Sequence, residues 1–186
     1  MNLFLIFDVN RYQNLMKENL ATHNFSNYFK QYINLVNNEY DVVSALEITH
    51  QQTNKLLGSI TEEQGNYAYA TGKWSIKELL VHLIDTERIF CNRALRFARN
   101  DNTDLPGYDH DAYVPFSGAN KRTLHEICEE FNAVRAASIA LFNSFTSEML
   151  AKEGTANGNA LTVLAIGFIL SGHEIHHTKV LQEKYL

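Results

Sequence analysis

The sequence predicts an all-α fold built as a single four-helix bundle. Apolar residues recur at helical spacing over four long segments, and two of those segments open on a Ser/Thr-x-x-Glu signature. No alternating strand pattern competes with them. At 186 residues the chain is long enough to bury a core without staples.

The first main helix is expected from about Asp41 to Leu57, stopping at Gly58, a residue suited to the left-handed position after a helix. Upstream, YFKQYINLV reads as a further helical piece, packed on that helix or continuous with it. The second helix starts at WSIKEL, where Ser75 caps and Glu78 reaches back. Trp74 and Leu79 occupy the positions of a hydrophobic staple. It should run to about Arg99. Thr123 and Glu126 repeat the signature for a third helix, ending near Phe145, and the fourth follows Asn159 to the C-terminus. Both prolines, Pro106 and Pro115, lie in the connection between the second and third helices, about twenty residues long. A connection of that length can carry function, or act as a crossover that lets consecutive helices run parallel.

Bulk composition narrows the function classes. The net charge of −5 comes without a lysine/arginine run, which argues against nucleic acid as a partner. Two cysteines, Cys91 and Cys128, are too few for a disulfide framework and fit a reducing compartment. MNLFLIF reads as neither signal peptide nor anchor, and ALTVLAIGFIL is well short of the ~20 residues of a membrane span. The expected setting is the cytoplasm, with no membrane partner.

Three of the eight histidines fall within SGHEIHHTKV, inside an apolar helix. Walked at about 100° per residue, Ile166, Leu170, His173, His177 and Leu181 trace one stripe. His173 and His177 thus inherit the inward face one turn apart, where two imidazoles can meet one ion. His176 sits about 60° away on the flank, and Glu174 points further off, so this is not an HExxH arrangement. On the second helix His82 falls among Leu79, Leu83, Ile84 and Ile89, with Asp85 one turn on as a candidate acceptor for its other ring nitrogen. An inward histidine is also found as a hydrogen-bonded core residue. Three on faces that a bundle brings together favour a metal site, and three protein ligands leave coordination positions open for chemistry.

Other candidates carry less. Cys91 lies nine residues after His82, roughly 180° around the helix, and Cys128 lacks a local base. Asp109, His110 and Asp111 could reach over the metal as a lid or support its ligands, or simply be solvated. Tyr108 and Tyr113 suit a pocket mouth or turn packing. Arg93, nearly in line with His82, suits an anionic substrate or a salt bridge within the bundle.

The stretches YATGKWSIKELLVHLIDTERIFCNRALRFARND, LPGYDHDAYV and LTVLAIGFILSGHEIHHTKVLQEKYL resemble the DinB/YfiT-like superfamily over about residues 28–186. On this division, residues 1–24 are an N-terminal extension of uncertain structure and 25–186 the bundle domain. The resemblance implies an up-down-down-up bundle with a long crossover between helices two and three, often homodimeric. It also implies a divalent ion, nickel or zinc, held by His82, His173 and His177; from the residues themselves, Asp85, Asp109, Asp111 and His176 are the candidates to support those ligands. Family members of known activity are metal-dependent S-transferases that use low-molecular-weight thiols, and others are described as metal-dependent hydrolases. The expected function is therefore thiol S-transfer to a small electrophile. Hydrolysis, or metal-stabilised small-molecule binding without catalysis, is the alternative.

Overall fold

Side-chain caps set the start of each long helix. The structure, a computed structural model, describes residues 15–20 and 25–186, so MNLFLIF and most of the expected extension lie outside the described residues. After the short α1 (Asn27–Ile33), Asp41 opens α2 (Val42–Leu57) by accepting from the amides of Val43 and Ser44. Ser75 opens α3 (Ile76–Ala98) and Thr123 opens α4 (Leu124–Asn143), each in a reciprocal capping box with the glutamate three residues on. Both boxes are as expected.

Three details differ from expectation. Gly58 ends α2 with φ −62° and ψ −14°, in the right-handed region, so no left-handed cap is formed. Two short strands, β1 (Glu153–Ala156) and β2 (Asn159–Thr162), form an antiparallel hairpin ahead of the last helix. At its turn Asn157 and Gly158 have φ of 52° and 69°, the two positive values that a tight hairpin with native twist requires. The last helix, α5 (Val163–Val180), consequently starts at the Thr162 cap rather than just after Asn159, and ends in a π-helical turn, Leu181–Tyr185.

Contacts between helices fix their directions. Val42 packs on Gly167, Thr49 reaches Glu174, and the hydroxyls of Thr53 and Thr178 meet at 3.0 Å, so α2 and α5 run parallel. Glu87 meets Arg135 and Cys91 meets Ser138, which makes α3 and α4 parallel too. Against α2, α4 is reversed: Arg135 bonds the Leu46 carbonyl while Asn132, earlier in α4, bonds Asn54, later in α2. The bundle is up-down-down-up, and residues 99–122 are the crossover that lets α3 and α4 share a direction.

α5 is apolar all round because it is covered on several sides. Every residue from Val163 to Gly172 is buried, with α1, α2 and α3 packed against it. α1 can lie this close only because position 172 is glycine: a Cβ there would sit 2.0 Å from the Tyr32 carbonyl oxygen. Leu15, within the described part of the N-terminal segment, is buried in the same core and accepts from the Val42 amide. No described helix is long and apolar enough to cross a membrane.

Candidate metal centre

α3 and α5 cross antiparallel, and the crossing brings His82 opposite the His173/His177 pair. The three imidazoles offer ligand nitrogens that all lie within 4.8 Å of one another. The Nε2 of His173 is 3.1 Å from the Nε2 of His82 and 3.1 Å from that of His177. Burial pushes the His82 imidazole down to about 4 and that of His177 down to about 3, and takes His173 well below its ordinary value. Mutual repulsion between the rings adds to the shift for the α5 pair. All three are therefore neutral at pH 7, the form that ligates metal.

That cluster is poorly satisfied by hydrogen bonds alone. A ring nitrogen carries either one N–H or one lone pair, so His173 Nε2 cannot serve both neighbours well. A cation taking three lone pairs removes the conflict. Tetrahedral nitrogen ligands at ~2.0–2.1 Å lie about 3.3 Å apart, close to the spacing here. The Nδ1 of His177 is buried with no hydrogen-bond partner among the described residues. The residues fit a divalent ion on their outer Nε2 atoms.

The rings are held from several sides. Tyr32 of α1 stands edge-on to His173 and His176, with centroids 5.4 and 5.6 Å away. Trp74 leans on His82 at 4.8 Å and is itself tied by its carbonyl to the Tyr185 hydroxyl. His110, in the one-turn helix His110–Tyr113 of the crossover, places its ring 5.4 Å from that of His82. Asp109 instead caps that turn through the Ala112 amide, and Asp111 is exposed beside His110. Asp85, its carboxyl pushed up by burial, lines a small recess shared with His82, Tyr108 and His110. His176 lies on the cavity wall next to His177. Cys91 turns away to donate to Ser138, and burial pushes its thiol up to about 11.

A cavity of about 480 Å³ opens in front of the three imidazoles. One wall is a stripe on α3, His82, Thr86, Phe90 and Arg93. α5 supplies Ile169, His173, His176 and His177, and Tyr28, Phe29 and Tyr32 of α1 face them. The crossover and hairpin close the far end. Leu105 exchanges backbone bonds with β1 and its turn, and Asn157 packs so tightly on Gly107 that a Cβ there would lie 2.4 Å from its side-chain oxygen. Among the described residues, no aspartate or glutamate lines this cavity.

Beneath the histidines is a buried ion cluster that no spacing within one segment predicts. Arg135, on α4, grips Glu87 of α3 through Nε and Nη2 at 2.8 and 2.7 Å, and reaches Glu174 of α5 at 2.6 Å. All three are buried. Glu174 does point away from the imidazoles, as the helical walk implied, and its destination is this guanidinium. The available signal was Arg135 itself, in an apolar stripe with Ile127, Phe131, Ser138 and Phe142.

Comparison with known proteins agrees with this architecture. No curated protein matches the chain. The solved structure of YfiT from Bacillus subtilis, described as a probable metal-dependent hydrolase with an unusual four-helix bundle topology, matches with a TM-score of 0.66 and 16% identity, over 76% of this chain and 82% of that one. At that identity the match speaks to fold. A family model for the DinB superfamily matches residues 45–181, which include all three converging histidines and most of the bundle. The chain belongs to the DinB superfamily.

Proposed function

We propose that His82, His173 and His177 hold one divalent ion, zinc or nickel, and that the protein is a metal-dependent enzyme that transfers a low-molecular-weight thiol to a small electrophile. One observation carries the reading: three neutral imidazoles converge at the wall of an open cavity that, among the described residues, offers no carboxylate as a further ligand. Three protein ligands leave positions for an exogenous group. Bound there, a divalent ion supplies Lewis acidity, lowering the pKa of a thiol or water that reaches it.

The lining favours thiol over water as nucleophile. Activating water for hydrolysis is helped by a general base within hydrogen-bond reach, most often a carboxylate or histidine. Among the described residues the carboxylates are elsewhere, Asp85 in its own recess and Glu174 and Glu87 on Arg135, which leaves His110 and His176 as the bases at the cavity beyond the three converging imidazoles. A thiol needs only to lose its proton to solvent water, after which its sulfur forms the C–S bond as the leaving group departs with its electron pair. The mixed lining of Phe29, Phe90, Tyr32 and Ile169 beside Asn157, Asn159 and Ser26 suits an organic electrophile with polar ends. Hydrolysis is the second reading, supported by the description of YfiT and by His110, whose ring lies 5.4 Å from that of His82.

Turnover screening decides between them. Zinc- and nickel-loaded protein is incubated with activated electrophiles in the presence and absence of several small thiols. Thiol-dependent consumption that disappears in the metal-free protein is the expected result. Consumption independent of thiol favours hydrolysis, and none with any combination removes the enzyme reading in favour of a binding module.

A further inference from the structure

Arg93 is a buried cation without a carboxylate. Its residue exposure is 6%, and among the described residues no Asp or Glu comes within ion-pair distance of it. The other buried cations differ. Lys77 is paired with Glu62, and Arg135 with Glu87 and Glu174. Arg93 instead donates through Nη2 to the Pro106 carbonyl at 3.0 Å and lies over the rings of Phe90 and Tyr108, at 4.9 and 5.9 Å. A guanidinium has five N–H donors in a planar fork, and a carbonyl and two ring faces leave most of that capacity unused.

Arg93 also lines the cavity. It ends the α3 stripe that begins at His82, eleven residues and about 16 Å of helix axis away. Because no acidic residue among the described residues lines that cavity, a ligand inside meets a guanidinium at one end, imidazoles at the other, and no described carboxylate between them. An uncompensated charge taken out of water is costly, and a small oxyanion entering beside it relieves that cost.

We propose that Arg93 is the anion-recognition end of this cavity, taking the carboxylate of an elongated small molecule whose reacting atom lies at the histidine end. The position of the reacting atom rests on the metal-dependent reading above; the anion contact does not. The carboxylate could be carried by the electrophile or by the thiol, since both enter the same cavity. In either case the substrate class is a small carboxylic acid rather than a neutral or cationic compound.

The test uses octanoate against octanamide, titrated calorimetrically into metal-free and zinc-loaded full-length protein. The carboxylate should bind at least about tenfold more tightly than the amide in both forms. Arg93→Met should remove that preference, and Arg93→Lys should keep a reduced one. Should Arg93→Met fail to fold, the side-chain Nε–H signal of Arg93 in 15N-arginine-labelled wild-type protein is followed instead, assigned through Arg93→Lys; it should shift with octanoate and not with octanamide. Equal affinity for acid and amide, a preference that survives Arg93→Met, or an Arg93 signal that ignores octanoate would each overturn the proposal. With zinc bound, 8-mercaptooctanoate separates the sources. An Arg93-dependent gain over octanoate points to the thiol as carrier, and octanoate binding unimpeded beside 2-mercaptoethanol points to the electrophile. Metal content is measured on the same samples, so protein that takes no ion yet keeps an Arg93-dependent preference refutes the metal reading alone.

Discussion

The Tyr32 carbonyl oxygen occupies the space that a side chain on Gly172 would need, 2.0 Å from where its Cβ would lie. That contact seats α1 on α5 one residue before His173, and it puts the Tyr32 ring against the His173 and His176 rings. The glycine of SGHEIHH is therefore part of the site without bearing any chemistry.

Gly172→Ala should push α1 off α5. Overpacking of this kind costs about 1–3 kcal/mol, and the backbone carbonyl leaves little room for relief. Urea denaturation should show a lower midpoint, and limited proteolysis should cut faster within residues 25–34. Wild-type behaviour in both assays would mean that α1 is not seated through this contact.

Removing the Arg135 side chain leaves Glu87 and Glu174 buried and unpaired. Arg135→Met should destabilise the protein by about 3–5 kcal/mol, measured by chemical denaturation at pH 7.5. The double variant Glu87→Gln/Arg135→Met should recover part of that loss, because one of the two stranded charges is gone. A small cost for Arg135→Met, under about 1 kcal/mol, would contradict the ion cluster as described.

Acid should weaken the metal-free protein well before it titrates ordinary carboxylates. Burial holds His82, and His50 of α2 beside Glu174, down to about 4 and His177 down to about 3 in the folded chain, whereas an unfolded imidazole titrates near ~6.5. Between these values the unfolded state binds more protons, so stability is complete above pH ~6.5 and is lost as pH falls toward about 4. Glu174 and Asp85, pushed up by burial, act in the opposite direction, but two carboxyls oppose four imidazoles once His173 is included. Urea midpoints of chelator-treated protein at pH 7.5, 6.0 and 5.0 should fall in that order. A flat profile would mean that the histidines are accessible to protons in the folded state.

Much of this was readable from local signals. Ser75/Glu78 and Thr123/Glu126 mark helix starts because capping is satisfied within four residues, and the His173/His177 spacing marks a face because helical geometry is fixed. The hairpin is marked in the sequence by Asn157-Gly158 alone, since its four-residue strands are too short to show alternation. The Arg135 cluster and the α1 wall were out of reach for a different reason. They depend on which helices become neighbours, and no spacing within a single segment encodes that Glu174 will face Arg135 or that Tyr32 will face His173.

His82, His173 and His177 should together bind one divalent ion, a property that metal content reads out without any assumption about substrate. Wild-type protein and the variants His82→Ala, His173→Ala and His177→Ala are loaded with zinc or nickel, passed through a desalting column and assayed by plasma emission, with circular dichroism confirming that each remains helical. The wild type should retain about one ion per chain, and each folded variant should lose most of it, because two imidazoles replace a three-ligand set. Full stoichiometry in all three variants, or no ion in the wild type, would contradict the account and leave three imidazoles buried for packing alone.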